Sequence, residues 1–231
     1  MLNDVKISAV ISAYNEENSV AAVVKTTLDS EIIDEVIVVN DGSTDKTANN
    51  LEQFISNPKY TYIEYEKNRG KSFAMVEGIE KATGDIIVFI DADIFNFEEK
   101  HIKQLITPLV NQEAEMVIGH PTENKFDEKL NPFQMLAGER AVFKIDILPI
   151  LEDIRHTQYG IETMLNLYYK SKGKKIKFEY LWGVYHLTKI RKNGVNGSFK
   201  NYAVEIKQIF KTLATNYVLV MMAVKAIFKG Y

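Results

Sequence analysis

A chain of 231 residues with 46% hydrophobic side chains is long enough to bury the core of one sizeable α/β domain with a helical appendage. Its formal net charge of −3, with lysine and arginine spread throughout, argues against a dedicated nucleic-acid binder. There is no cysteine, which excludes disulfides, thiolate catalysis and zinc–sulfur sites.

The start, Met1 to Lys6, lacks the apolar stretch of a secretory signal, and no apolar run reaches the ~20 residues of a membrane span, so the chain reads as cytoplasmic. Lys6–Ala13 predicts a short buried strand, followed by the polar loop Tyr14–Ser19 and a helix over Val20–Leu28 capped by Asn18 or Ser19. Asp34–Val39 is a second strand; it ends in the turn Asn40-Asp41-Gly42-Ser43-Thr44-Asp45, which opens a helix over Lys46–Ser56. Tyr60–Glu64 is a third strand, and Asn68-Arg69-Gly70-Lys71 leads into a helix over Ser72–Ala82. Asp85–Ile90 is a fourth strand, apolar from Ile86 on, and Glu98–Asn111 a helix interrupted or bent near Pro108. Glu115–Gly119 is a fifth strand.

The second half is less regular. A charged loop, Asn124–Asn131, precedes a helix over Pro132–Phe143 that carries Gly138-Glu139-Arg140-Ala141. After the apolar Asp146–Leu151 come a strong helix over Gly160–Ser171, a strand over Lys175–Leu181 and its closure Trp182–His186. Lys189–Lys200 is a basic loop and Tyr202–Phe228 a long terminal helix.

Strands alternating with helices in this way predict an open, mostly parallel sheet with helices on both faces. Ligands of such sheets bind beyond the C-terminal strand ends. The polar groups gather there: Tyr14 to Glu17, Asp41, Asn68 to Lys71, then Asp91 and Asp93. Asp91 and Asp93, one residue apart at the end of a buried strand, can share a divalent cation and through it a diphosphate; a plain Asp-rich turn is the competing reading.

The segments SAVISAYNEE, VIVVNDGSTDKT, NRGKSFAMVEGIEKATGDIIVFIDADI and GERAVF resemble the family 2 glycosyltransferases of the GT-A fold, near the branches that make sugar-phosphoglycerates and polyprenyl-phosphate sugars. The resemblance implies a Rossmann-like GT-A domain over residues 1–200, with a nucleotide-sugar half (1–120) and an acceptor half (121–200), and a C-terminal helical extension over 201–231. It implies a nucleotide-diphosphate sugar donor, a uridine diphosphate sugar first among them, with Mg or Mn as cofactor. The acceptor is a small molecule, a glycan or a lipid phosphate. Ser12, Ala13, Tyr14 and Glu16 match the loop that meets base and ribose, and Asp41 the carboxylate that reads the base. Asn68, Gly70 and Lys71 match the loop near base and diphosphate. Asp91-Ala92-Asp93 matches the Asp-x-Asp, with Asp91 and Asp93 toward the metal, and His186 the late histidine that adds a metal ligand. Arg191 lies where a loop folds over the diphosphate.

One departure is chemical. Where inverting members end the acceptor motif in Glu-Asp, this chain has Gly160-Ile161-Glu162-Thr163, so Glu162 is left as the base or as an acceptor-orienting group. Arg140 is a candidate for an acceptor phosphate or carboxylate, or a partner of Glu139. His101, His120 and His156 read as structural. A sugar nucleotidyltransferase would want a glycine-rich basic loop where Tyr14-Asn15-Glu16-Glu17 stands, and a non-catalytic sugar-nucleotide binder would not need Asp91, Asp93 and His186. On the terminal helix Lys207, Lys211, Lys225 and Lys229 share one sector, while Ile206, Phe210, Leu213, Tyr217, Val224 and Phe228 form an apolar face, expected to cover a second subunit in a homodimer or to lie on a membrane surface.

Overall fold

A computed structural model of the chain describes residues 5–122, 137–157, 160–186 and 212–228. Strands β1 (Ile7–Ala13), β2 (Glu35–Asn40), β3 (Tyr60–Glu64) and β4 (Ile86–Phe89) form a parallel block in the order β3-β2-β1-β4. Helices α1 (Val20–Asp29), α2 (Thr47–Glu52) and α3 (Lys71–Lys81) make the crossovers. Strands β1, β2 and β4 are near-continuous apolar runs because both faces are covered, whereas the edge strand β3 is only partly buried. Ile11, Val36, Val38, Ile86 and Val88 feed one core, while Val10, Ile37, Val39, Ile87 and Phe89 feed the other. Ala92 and Ile94, just past β4, stay buried in the first of these cores.

Beyond β4 the chain makes the short strand β5 (Ile94–Phe95), helix α4 (Glu99–Val110) and strand β6 (Met116–Thr122). Pro108 falls in the last turn of α4, so the helix runs past it to Val110 instead of breaking there. His101 is structural as expected. It completes a capping box with Glu98, and its Nε2 lies 3.2 Å from the Trp182 carbonyl oxygen.

The helix predicted across Pro132–Phe143 is a correction. Residues 132–136 lie outside the described residues, and Arg140–Phe143 is strand β7, inserted antiparallel between β4 and β6. Two open strand edges satisfy the backbone groups of this segment, an outcome that a local pattern of apolar residues does not register. Strand β8 (Ile176–Trp182) runs parallel to β6 and completes the seven-stranded order β3-β2-β1-β4-β7-β6-β8. Helix α5 (Lys144–Ile147), a 3-10 turn and α6 (Leu151–Arg155) occupy the apolar segment after β7, and α7 (Ile161–Ser171) follows. Strand β9 (Tyr185–His186) leaves β8 and pairs antiparallel with β5.

The described part of the terminal helix is α8 (Tyr217–Phe228). It lies on α7, with Leu219 against the second core and Ala223 buried. Thr212, just before it, sits over Gly160, where a Cβ would meet its Oγ1 at 2.3 Å. Tyr217 and Val224, from the apolar face expected to meet a second subunit or a membrane, are 64% and 45% exposed on the single chain. The helix is apolar on nearly every side, so it packs Leu219 and Ala223 on the domain and still leaves apolar side chains open.

The start of the sheet is tied by one carboxylate. Glu35 accepts hydrogen bonds from the Ser8 hydroxyl, from the Thr83 amide and hydroxyl, and from the Gly84 amide, joining β1, β2 and the approach to β4. Burial alone would raise its pKa; these donors outweigh burial and hold it below the ordinary value. A depressed pKa stabilises the fold above the unfolded carboxylate's pKa, and that contribution is lost as pH falls through the folded value. Glu35→Gln is therefore expected to cost about 1–2 kcal/mol at pH 7 and much less at pH 3. Urea unfolding of both proteins at the two pH values checks this; an equal deficit at both would refute it.

Candidate active site

The site begins where β4 stops. Past Phe89 the chain runs through Ile90-Asp91-Ala92-Asp93 and turns back as β5, whose pairing with β9 sets Ile94 opposite His186. That register brings His186 Nδ1 to 2.9 Å from Asp93 Oδ1. The other ring nitrogen, Nε2, faces Glu139 Oε1 at 3.6 Å. Glu139 precedes β7, is fully buried, and among the described residues neither of its carboxylate oxygens has a hydrogen-bond partner. One donor atom each from Asp91, Glu139 and His186 fall within 4.8 Å of one another. Gly138 permits the close approach, because a Cβ there would stand 2.0 Å from Asp91 Oδ2.

Lys71 and Glu162 form the other wall. Lys71 opens α3, and its Nζ lies 2.8 Å from Asp91 Oδ1 and 2.9 Å from Glu162 Oε1 in the first turn of α7. Arg140 is fully buried behind them. Its guanidinium donates to the Ala137 carbonyl at 2.7 and 3.1 Å and to Asn166 Oδ1 at 2.9 Å. The sequence-based pairing of Glu139 with Arg140 is not what forms: successive side chains along an extended strand point to opposite sides, so Glu139 turns toward His186 and Arg140 toward α7.

These contacts set the charges. Burial, with help from Asp91, pushes the Glu139 carboxyl up to about 7. Burial would lower His186, but Glu139, Asp93 and Asp91 outweigh it and raise the imidazole to about 9. Lys71 is likewise raised against the pull of burial by Asp91 and Glu162, whereas burial holds Arg140 below its ordinary value. Among the described residues, the carboxyl groups of Asp91, Asp93, Glu139 and Glu162 thus face three cations, Lys71, Arg140 and the protonated His186. The gathering of four carboxyl groups, the Glu139 oxygens without a hydrogen-bond partner and the mixed oxygen and imidazole donor set fit a divalent cation such as Mg or Mn, which would take the place of the imidazole proton.

The nucleotide-side candidates form a second group on the same edge. Asp41 is 2% exposed. Its two carboxylate oxygens accept the amides of Arg69 and Gly70, each at 2.8 Å, and its own amide donates to the Ala13 carbonyl at 2.8 Å. Burial raises its pKa even so. Asp41 therefore ties the loop after β3 to the ends of β1 and β2. Gly42, at φ +73°, lies so close to the Lys67 backbone that a Cβ would fall 2.5 Å from its carbonyl carbon. Asn15 and Glu16 stitch the loop after β1 to the next turn: Asn15 Oδ1 accepts the Thr44 amide, and the Glu16 amide donates to Thr47 Oγ1, both at 2.8 Å. Ser12 is partly covered, Ala13 and Ala92 are buried, and Tyr14 and Asn68 stand exposed at the rim. Arg191 lies outside the described residues.

Residues 8–188 match the sequence profile of Glycosyl transferase family 2. The chain belongs to that family. Among similar proteins, a poly-beta-1,6-N-acetyl-D-glucosamine synthase of Staphylococcus epidermidis is 36% identical over 88 residues, 38% of this chain and 21% of that one. A dolichyl-phosphate beta-glucosyltransferase of Trichomonas vaginalis is 32% identical over 178 residues, 69% of this chain and 52% of that one. The chain thus spans about a fifth to a half of these relatives. The crystal structure of a glucosyl-3-phosphoglycerate synthase from Mycobacterium tuberculosis, in complex with Mn2+, uridine diphosphate and phosphoglyceric acid, superimposes with a TM-score of 0.73 at 21% identity, covering 92% of this chain and 78% of that one. That likeness is one of fold, and it makes the seven-stranded sheet a GT-A sheet.

Within this family 2 domain, sequence reasoning missed Glu139 as a member of the site. Its signal was present in Gly138-Glu139-Arg140, but it becomes readable only once the segment is a strand. For Asp41 the geometry makes a testable demand. Asp41→Asn leaves one oxygen for two amides and is expected to cost about 1 kcal/mol. Amide hydrogen exchange at Arg69 and Gly70 should accelerate while the β1 and β4 amides keep their protection. Unchanged exchange at 69 and 70 would contradict the tether.

Proposed function

We propose that the protein transfers a glycosyl group from a nucleotide-diphosphate sugar, a uridine diphosphate sugar first among them, to an acceptor, with Mg or Mn at the Asp91–Asp93–His186 edge. The observation that carries the reading is the meeting of Asp91, Asp93 and His186, from chain segments far apart, beside the cationic Lys71 on the C-terminal edge of a GT-A sheet. The relative named dolichyl-phosphate beta-glucosyltransferase and the Mn2+- and uridine-diphosphate-bound fold neighbour support it.

In this reading Asp91, Asp93 and His186 hold the cation, which when bound offsets charge on the departing nucleoside diphosphate. Lys71 adds a fixed positive charge on the same side and is oriented by Asp91 and Glu162. The loop held by Asp41, with Ser12, Ala13, Tyr14, Glu16, Asn68 and Gly70, lines the nucleoside end. Glu162 faces the acceptor side: it takes the proton of an acceptor hydroxyl, or orients an acceptor that is already a phosphate and needs no strong base. Residues 1–120 serve the donor and 121–200 the acceptor, in the cytoplasm.

A screen of nucleotide sugars for metal-dependent turnover, with thermal stabilisation as a parallel readout, tests the reading. Asp93→Ala should lower turnover by about 100-fold or more while the melting temperature of the ligand-free protein holds. Undiminished turnover in purified Asp93→Ala would defeat it.

A second reading, a lipid-phosphate acceptor at a membrane face, is favoured by α8. Among the described residues no helix is long and apolar enough to cross a membrane, yet α8 exposes Tyr217, Val218, Met221, Met222 and Val224 side by side. The protein should then co-sediment with anionic vesicles, and Val218→Glu with Met221→Glu should remove most of that binding. Concentration-dependent dimerisation by light scattering, lost in the same variant and without vesicle binding, would assign the face to a homodimer instead.

A further inference from the structure

Glu139 is placed unlike the other carboxylates of the site. Asp91 has Lys71, Asp93 has His186, and Glu162 has Lys71. Glu139 is as buried as any residue in the sheet; its charge partner is His186, at 3.6 Å, and among the described residues neither of its oxygens has a hydrogen-bond partner. A carboxylate in that position is costly unless something in the finished site meets it. It cannot easily turn away. Its carbonyl accepts the Gly119 amide at 2.8 Å, and the next residue, Arg140, is anchored on the opposite side by Ala137 and Asn166. The gap of 3.6 Å to His186 Nε2 is too long for a hydrogen bond, yet it suits two donors to one small cation. His186 is already oriented by Asp93 through Nδ1, which leaves Nε2 turned to the same space.

We infer that Glu139 is a direct protein ligand of the divalent cation, supplied by the strand β7 of the acceptor-side half, and that it completes a metal site able to fill before any nucleotide arrives. The inference rests on the reading of the Asp91–Asp93–His186 edge as the metal site and adds to it a ligand from outside the Asp-x-Asp segment. It has a consequence for the order of binding. A site made of Asp93 and His186 alone would depend on diphosphate oxygens for most of its coordination, whereas one that also holds Asp91 and Glu139 binds the cation by itself. Gly138 serves the same end, because any side chain there would drive Asp91 out of the cluster.

The test is a Mn2+ titration followed by electron paramagnetic resonance, on the full chain and without nucleotide, for the parent, Glu139→Gln, Glu139→Asp and His186→Ala. The parent should bind one Mn2+. Glu139→Gln should weaken that binding by about 10–100-fold, and Glu139→Asp, which keeps the charge on a shorter arm, should fall between. A thermal scan gives an independent readout: at the same Mn2+ concentration the melting temperature should rise clearly less for Glu139→Gln than for the parent, while the metal-free variant melts no lower than the metal-free parent. If Glu139→Gln does not fold, the affinity of Glu139→Asp decides alone. Affinity within twofold of the parent in the glutamine variant, or in the aspartate variant where it decides, would overturn the inference, as would a parent that binds Mn2+ only once uridine diphosphate is added. If His186→Ala loses Mn2+ while Glu139→Gln keeps it, only the role of Glu139 fails; if neither variant loses it, the metal reading of the whole edge fails with it.

Discussion

The convergence of four carboxyl groups at the end of β4 governs the arrangement around it. Asp91, Asp93, Glu139 and Glu162 meet in one place, and among the described residues Lys71, Arg140 and the protonated His186 are the cations beside them. Like charges brought together in a poorly solvated place repel, and the repulsion is tolerated only where counter-charges are built in or are bound from outside. Lys71 shows the first solution, bridging Asp91 and Glu162. Glu139, whose carboxylate has His186 at 3.6 Å and no hydrogen-bond partner among the described residues, leaves room for the second.

The sheet supplies the convergence. A parallel block alone would leave Asp91 and Asp93 at a strand end with helices to either side. The antiparallel insertion of β7 between β4 and β6 carries Glu139 alongside Asp91, and the small β5–β9 ribbon folds His186 back over Asp93. Because β7 comes from the second half of the chain and β4 from the first, the two halves share one sheet. The cluster lies where they meet, so a change in either half is felt at the same few atoms.

Much of the first half was legible in the sequence. Strands β1, β2 and β4 are short apolar runs that stop at polar turns, and burial on both faces is what makes such runs read clearly. The Asp91–Asp93 pair stood out because two charges directly after Ile86–Ile90 interrupt a buried run at the strand end where ligands of such sheets bind. The Asn40-Asp41-Gly42 turn announced itself by its residue types. What stayed hidden depends on contacts between distant segments. Arg140–Phe143 looked helical because the two open strand edges that receive it are not local information. The partners of Lys71 and the role of Glu139 follow from that insertion, and the β5–β9 ribbon is too short to leave a periodic trace. The packed face of α8 was obscured for the opposite reason, since almost every residue there is apolar. The basic loop with Arg191 lies outside the described residues.

The central claim is that the carboxylate cluster at the end of β4 is a divalent-metal site. Anomalous scattering from crystals grown with Mn2+ and uridine diphosphate, recorded on either side of the manganese edge, addresses it most directly. The account predicts one strong anomalous peak between Asp91, Asp93, Glu139 and His186. A peak lying elsewhere on the protein, or uridine diphosphate bound at the β4 edge with no anomalous signal beside it, would contradict it.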